Sequence, residues 1–200
     1  MALIIGITGG IGSGKTTVCR IFELLGVPVF EADLAGKNLL NNNDQLKKNI
    51  SQIFGEYIYK PKGKINRKRL ADIIFNDKNK LKILNELVHP AVKMEFLKWK
   101  EDNKYFPYLI HEAAILFESG FYKLMDYTIL VTAPENERIK RIMERDGTDE
   151  NMIRARIRNQ HPEEKNKKLA TIVLQNDNRR LLIPEIIKID NNIKKYGKIR

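Results

Sequence analysis

Cysteine is nearly absent. The chain of 200 residues carries one, Cys19, so no internal disulfide can close, and the usage fits a reducing compartment. Aromatic residues are sparse at 8%, with a single Trp. None interleaves with basic residues as a stacking platform for single-stranded nucleic acid requires. No apolar run approaches the length of a membrane span. The N-terminus lacks a basic region and a cleavage site, and its apolar stretch reads as a strand. No signal peptide is therefore expected, and the protein is expected in the cytoplasm. Repeats and low-complexity linkers are missing as well. Acidic residues are the scarcer charge, 25 against 36 basic ones, for a net charge of +11. That surplus is spread through a chain rich in Lys, Asn and Ile. It suits phosphate-rich small substrates, and nucleic acid is not expected as the principal partner.

What remains is ordinary in bulk. A length of 200 residues allows one domain, or one core with an inserted subdomain, and a hydrophobic fraction of 42% with a charged fraction of 30% is ordinary for a soluble globular protein. A core of this size needs no metal or disulfide staple, and a monomer is expected. Cys19 reads as a small buried hydrophobe.

Gly9-Gly10-Ile11-Gly12-Ser13-Gly14-Lys15-Thr16 matches G-x-x-x-x-G-K-[ST] at every position. Leu3 to Ile7 before it reads as a buried strand. Val18, Ile21, Phe22 and Leu25 after it fall on one helical face. A glycine-rich turn between a strand and a helix N-terminus is a cradle for a phosphate chain, because bare backbone N–H groups and the helix dipole converge there. Gly9, Gly12, Ser13, Gly14, Lys15, Thr16 and Thr17 are thus expected to bind a nucleoside triphosphate, with Lys15 on the β- and γ-phosphates and the Thr16 hydroxyl on Mg²⁺.

Four further strands are read, at Val27 to Phe30, Tyr108 to His111, Tyr127 to Val131 and Thr171 to Leu174. Helical stretches between them imply a parallel sheet covered on both faces. Asp33 falls at the carboxyl end of the second strand, where open α/β sheets bind ligands. From Leu34 to Phe106 the chain reads as helical, with a turn-rich excursion from Tyr57 to Asn66 and a helix boundary or kink at Pro90. Pro134 is expected to open a helix on which Arg138, Arg141 and Arg145 share one face and Ile139, Ile142 and Met143 the adjoining one. Asn151 to Gln160 is a second basic helical stretch, a last helix starts near Pro184, and the tail from Lys194 to Arg200 reads as loose.

A phosphate loop alone leaves the reaction open. Asp33-Leu34-Ala35-Gly36 matches one guanine-nucleotide motif, D-x-x-G, by two fixed positions, but N-K-x-D is absent. A motor or transporter ATPase would end an apolar strand in Asp; here the third strand runs into His111-Glu112. A small-molecule kinase fits the layout better, with residues 34–106 as an acceptor-binding insertion and 134–165 as a lid that brings cations and excludes water.

Nearly the whole chain resembles the dephospho-CoA kinases. The resemblance is carried by T-G-G-I-G-S-G-K-T-T (Thr8 to Thr17), L-G-V-P-V-F-E-A-D (Leu25 to Asp33), R-L-A-D-I-I-F (Arg69 to Phe75) and L-V-H-P (Leu87 to Pro90). It continues in A-I-L-F-E-S-G-F-Y (Ala114 to Tyr122), R-I-M-E-R-D (Arg141 to Asp146) and R-I-R-N-Q (Arg156 to Gln160). It implies an α/β, three-layer P-loop kinase fold with a five-stranded parallel sheet: core 1–33, 107–133 and 166–200, helical acceptor-binding subdomain 34–106, lid 134–165. It also implies Mg²⁺-dependent transfer of the ATP γ-phosphoryl group to the ribose 3′-hydroxyl of dephospho-CoA, giving coenzyme A. Asp33 matches the acid beside the acceptor hydroxyl; Arg69, His89 and Glu118 match acceptor-side positions. Asp33 and Glu118 could also support the metal through water. Arg141 and Arg145 match the lid arginines that act in catalysis beside Lys15, Arg138 is a lesser candidate, and Asn176 precedes the adenine-contacting loop. Two departures stand out: Glu31 where many members have Asp, and Ala114 where many have Pro.

Overall fold

The structure is a computed structural model and describes residues 2–75, 77–158, 160–179 and 181–199. Asn159 of the arginine-rich motif and the final Arg200 lie outside the described residues, and of Phe75 only the backbone is described. The chain forms two compact units, Met1–Glu31 with Asn103–Arg200, and Ala32–Asp102.

The first unit is built on five strands, β1 (Leu3–Thr8), β2 (Val29–Glu31), β3 (Tyr108–Glu112), β4 (Tyr127–Thr132) and β5 (Ile172–Gln175). They pair in parallel in the order β2-β3-β1-β4-β5. The sequence expectation of a five-stranded parallel sheet is met. Successive residues of the central strands are buried on both faces, as parallel sheets require. One face meets helices α1 (Lys15–Leu24) and α9 (Leu182–Tyr196): Val18, Cys19, Phe22, Ile186, Ile189 and Ile193 close over Ile5, Ile7, Ile110, Ile129 and Val131. On the other face a side chain at Gly6 would press into Leu116 at 2.6 Å and Met125 at 2.8 Å, so close packing of the segment after β3 demands glycine there.

The second strand starts two residues later than the sequence suggests, at Val29. Val27 still belongs to the end of α1: its N–H donates to Phe22 O and that of Gly26 to Glu23 O, a helix stop with Gly26 at φ 81°. Helices α6 (Glu135–Asp146), α7 (Glu150–Arg158) and α8 (Glu163–Leu169) fill the segment expected as a lid, and all three belong to the first unit. Pro134 is the N-cap of α6 rather than its first residue. Arg138 is buried at 8% exposure and Met143 is 42% exposed, so the polar and apolar faces of α6 are not divided as expected. The tail is not loose throughout: α9 runs to Tyr196, and Ile199 packs into the core.

The second unit comprises α2 (Ala32–Asn42), α3 (Asp44–Phe54), α4 (Arg67–Phe75) and α5 (Lys78–Asp102). Leu46, Ile50, Ile58, Ile65, Leu70 and Leu84 form its own core. Between α3 and α4 lies the expected excursion, pinned by a bridge between Tyr59 and Ile65. Pro90 ends nothing: α5 passes through it. The apolar stripe of Leu84, Leu87, Val88 and Val92 spans the proline, and its burial outweighs the lost backbone hydrogen bond. The D-x-x-G match lies inside α2, where Gly36 is a buried helical residue facing Val88 and Val92, so no switch loop forms there.

Candidate active site

The turn between β1 and α1 is shaped by close approaches that exclude side chains. A Cβ on Gly9 would collide with Val131 O, one on Gly10 with the Arg138 guanidinium, and one on Gly14 with the Asn176 amide. Gly12 and Gly14 also hold positive φ, 79° and 96°. Ser13 donates its N–H to Gly10 O at 3.1 Å, which closes the turn. Lys15 Nζ donates to Gly9 O at 2.9 Å, folding its charge over the loop. Thr16 and Thr17 are exposed in the first turn of α1. The nest of backbone N–H groups therefore opens toward solvent with a cation and a hydroxyl at its rim, which is what a polyphosphate needs.

Three residues from other elements fasten this loop. Asn176, just after β5, donates its Nδ2 to Ser13 O at 2.9 Å. Arg138 donates Nε to Ile11 O at 2.8 Å, and Gln160 accepts from Ile11 N–H at 2.9 Å. Burial pushes the Arg138 guanidinium below its ordinary pKa, with Glu163 and Glu135 opposing. Arg141 donates to Asn176 O and Asn178 Oδ1 at 3.0 and 2.9 Å, while its second terminal nitrogen stays buried without a hydrogen bond, 3.9 Å from where a Gly14 side chain would begin. A buried, unspent guanidinium donor beside the nest is placed to meet an anionic oxygen. Arg145 does not join this group. It lies two turns beyond Arg138, about 10 Å along the helix axis, and forks onto Asp146 at 2.7 and 2.9 Å in the open.

A cleft of about 590 Å³ opens beside the loop, lined by Gly9, Gly10, Glu118, Arg138, His161 and Asp177 among others. Glu118 accepts from His161 N–H at 3.4 Å through one oxygen; its other oxygen is buried and carries no hydrogen bond. A carboxylate oxygen held out of water beside a phosphate loop suits a hydrated cation. No group of three or more His, Cys, Asp or Glu able to cage a metal occurs among the described residues.

The remaining expected residues lie in the second unit. Asp33 occupies the first turn of α2, two residues after β2, where a carboxylate also favours the helix dipole. His89 is half-buried in mid-α5 rather than at a helix end, and burial pushes its pKa down. Arg69 is exposed on α4 with its guanidinium 5.7 Å from the centroid of the Tyr57 ring. Sequence reasoning passed over Glu112 except as a mark against an ATPase. It ends β3 almost fully buried and pairs in register with both Ile7 and Glu31, at the carboxyl edge that bears the loop. Gln160 closes the R-I-R-N-Q motif but was not named as a site residue, and His161 was passed over, because neither residue type signals a site unless its fold neighbours are known.

The profile of the family described as Dephospho-CoA kinase matches residues 3–181. A Dephospho-CoA kinase of Bacteroides fragilis is 35% identical over 189 residues, covering 94% of this chain and 92% of that protein. One from Dehalococcoides mccartyi is 38% identical over 178 residues, covering 88% and 89%. The solved structure of a dephospho-CoA kinase from Campylobacter jejuni superposes with a TM-score of 0.74 at 28% identity, over 99% of this chain and 100% of that one. The chain belongs to the dephospho-CoA kinase family.

Proposed function

We propose that this chain transfers the γ-phosphoryl group of ATP to the ribose 3′-hydroxyl of dephospho-CoA, the step that yields coenzyme A. The observation that carries the reading is the match of residues 3–181 to that family in a chain whose phosphate loop is fully formed. The loop from Gly9 to Thr17, with Asn176 behind Ser13, holds the triphosphate. Mg²⁺, when bound through Thr16 and, by way of water, Glu118 and Asp33, would neutralise charge on the β- and γ-oxygens. Lys15, released from Gly9 O, and Arg141, with its unspent donor, offset the negative charge of the transferring group.

Asp33 is the proposed base. The acceptor oxygen forms a bond to the γ-phosphorus as the bond to the β–γ bridging oxygen breaks, and the hydroxyl proton passes to the Asp33 carboxylate. His89 and Arg69 line the acceptor side in this reading. Little covalent help is asked of the protein, because positioning and charge supply most of the acceleration in phosphoryl transfer. Incubation with Mg·ATP and dephospho-CoA, followed by mass spectrometry, should reveal coenzyme A and ADP. Phosphorylation of another nucleoside-type acceptor with no coenzyme A formed would overturn the assignment.

A further inference from the structure

We propose that Gln160 is a positioning residue for the phosphate loop, fixing the peptide at the loop's apex through one side-chain oxygen. The kinase reading above enters only in the kinetic consequence. Ile11 stands at the apex between Gly10 and Gly12, two residues with no Cβ to restrain them. Left alone, the peptide units on either side of Ile11 could rotate and turn a carbonyl into the nest, where its partial negative charge would oppose a phosphate. Both polar groups of Ile11 are instead tied outward. Its carbonyl accepts from Arg138 Nε at 2.8 Å, and its N–H donates to Gln160 Oε1 at 2.9 Å.

The same Gln160 oxygen accepts from the Arg138 terminal nitrogen at 3.3 Å, so three groups close a ring: Ile11, Arg138 and Gln160. Both partners of that oxygen are donors, which leaves no choice in the orientation of the amide. The Ile11 side chain adds a third hold by packing on Ile139, Ile142 and Ile153. Every contact in this clamp comes from α6, α7 or the residue just past Asn159. The apex of the loop is thereby tied to the segment 134–165, and its shape follows that segment.

A neutral acceptor is what the site requires. It orients Arg138 without cancelling a positive charge next to bound phosphates, whereas a carboxylate would satisfy the same donors at that cost.

The test compares Gln160→Met, which keeps the length and loses the acceptor, with Gln160→Glu, which keeps the acceptor. Hydrogen exchange at the Ile11 amide in nucleotide-free protein reads the clamp directly and uses no substrate, so it stands apart from the assigned reaction. Gln160→Met should speed that exchange about tenfold and raise KM for ATP about tenfold with kcat within about threefold, as loss of two ordinary hydrogen bonds implies. The melting temperature should stay near the parent's. Gln160→Glu should keep exchange slow and give a KM below that of Gln160→Met. Gln160→Ala repeats the truncation without the bulk and should behave as Met does. Parental exchange at Ile11 in the Met and Ala variants, or equal impairment of Met and Glu, overturns the proposal.

Discussion

At the scale of single residues, two titratable groups make opposed demands. In the proposed reaction Asp33 takes the proton of the acceptor hydroxyl, from a place in the first turn of α2. Asp33→Asn keeps the shape and removes the base. It should lower kcat by about 10²-fold or more while leaving KM for ATP within a few-fold. Steady-state kinetics with both substrates varied checks this, and an unchanged kcat would reduce Asp33 to a favourable charge at a helix start. His111 is held neutral instead. It is 1% exposed in β3, between the rings of Phe30 at 5.4 Å and Phe121 at 5.5 Å. Burial pushes its pKa from 6.5 down to about 4. The unfolded chain therefore takes up a proton on His111 first as pH falls, and stability is lost through the window between those two values. The loss by pH 5 should be roughly 2 kcal/mol. Urea midpoints of the parent and of His111→Phe, followed from pH 7.5 to pH 5, should diverge by that amount. Parallel curves would show that this histidine carries no linkage.

Elements are held by fewer polar contacts than apolar ones, and the exception is instructive. Asp190 of α9 is 4% exposed; it accepts from the Tyr108 hydroxyl at 2.7 Å and pairs with Lys194 at 2.9 Å. Lys194 also reaches Leu25 O at 3.2 Å, so β3, α1 and α9 meet at one carboxylate. Burial and the Asp190 charge together raise the Tyr108 pKa. Removing the carboxylate orphans a buried hydroxyl and leaves Lys194 only Leu25 O, whereas removing the hydroxyl leaves Asp190 with Lys194. Asp190→Ala should therefore cost roughly 3 kcal/mol and Tyr108→Phe roughly 1. Equal costs in urea unfolding would contradict the arrangement. All five strands were legible in the sequence to within a residue or two, because β-branched runs bounded by turns have few other uses. Pro90 and the tail were not. Local rules set a helix boundary or kink at Pro90, but a stripe from Leu84 to Val92 that continues across the proline finds a partner only in the folded unit. Ile199 likewise reads as one apolar residue in a basic tail until the core it fills exists.

The whole molecule shows which part of the site a sequence can carry. The stretch from Gly9 to Thr16 was readable as a glycine-rich turn between a strand and a helix, but the close approaches that its glycines answer to come from Val131, Arg138 and Asn176. The fastening of that loop was not readable, because Asn176, Arg138 and Gln160 come from distant positions and meet it only through the sheet order β2-β3-β1-β4-β5. Arg141 and Arg145 were equal in sequence; one turn of helix puts the first against Asn176 beside the loop and the second on Asp146 in the open. The net charge of +11 is the remaining property of the chain as a whole. No helix among the described residues is long and apolar enough to cross a membrane. Both proposed substrates are polyanions, and a positive field raises their local concentration without touching the chemical step. Screening should remove that benefit, since the Debye length falls from about 30 Å at 0.01 M salt to about 8 Å at 0.15 M. KM for ATP and for dephospho-CoA should therefore rise severalfold between those concentrations of KCl while kcat holds. A kcat that falls in step with 1/KM would place the salt-sensitive contacts in the transition state instead. A KM that does not move would assign the surplus charge to composition alone.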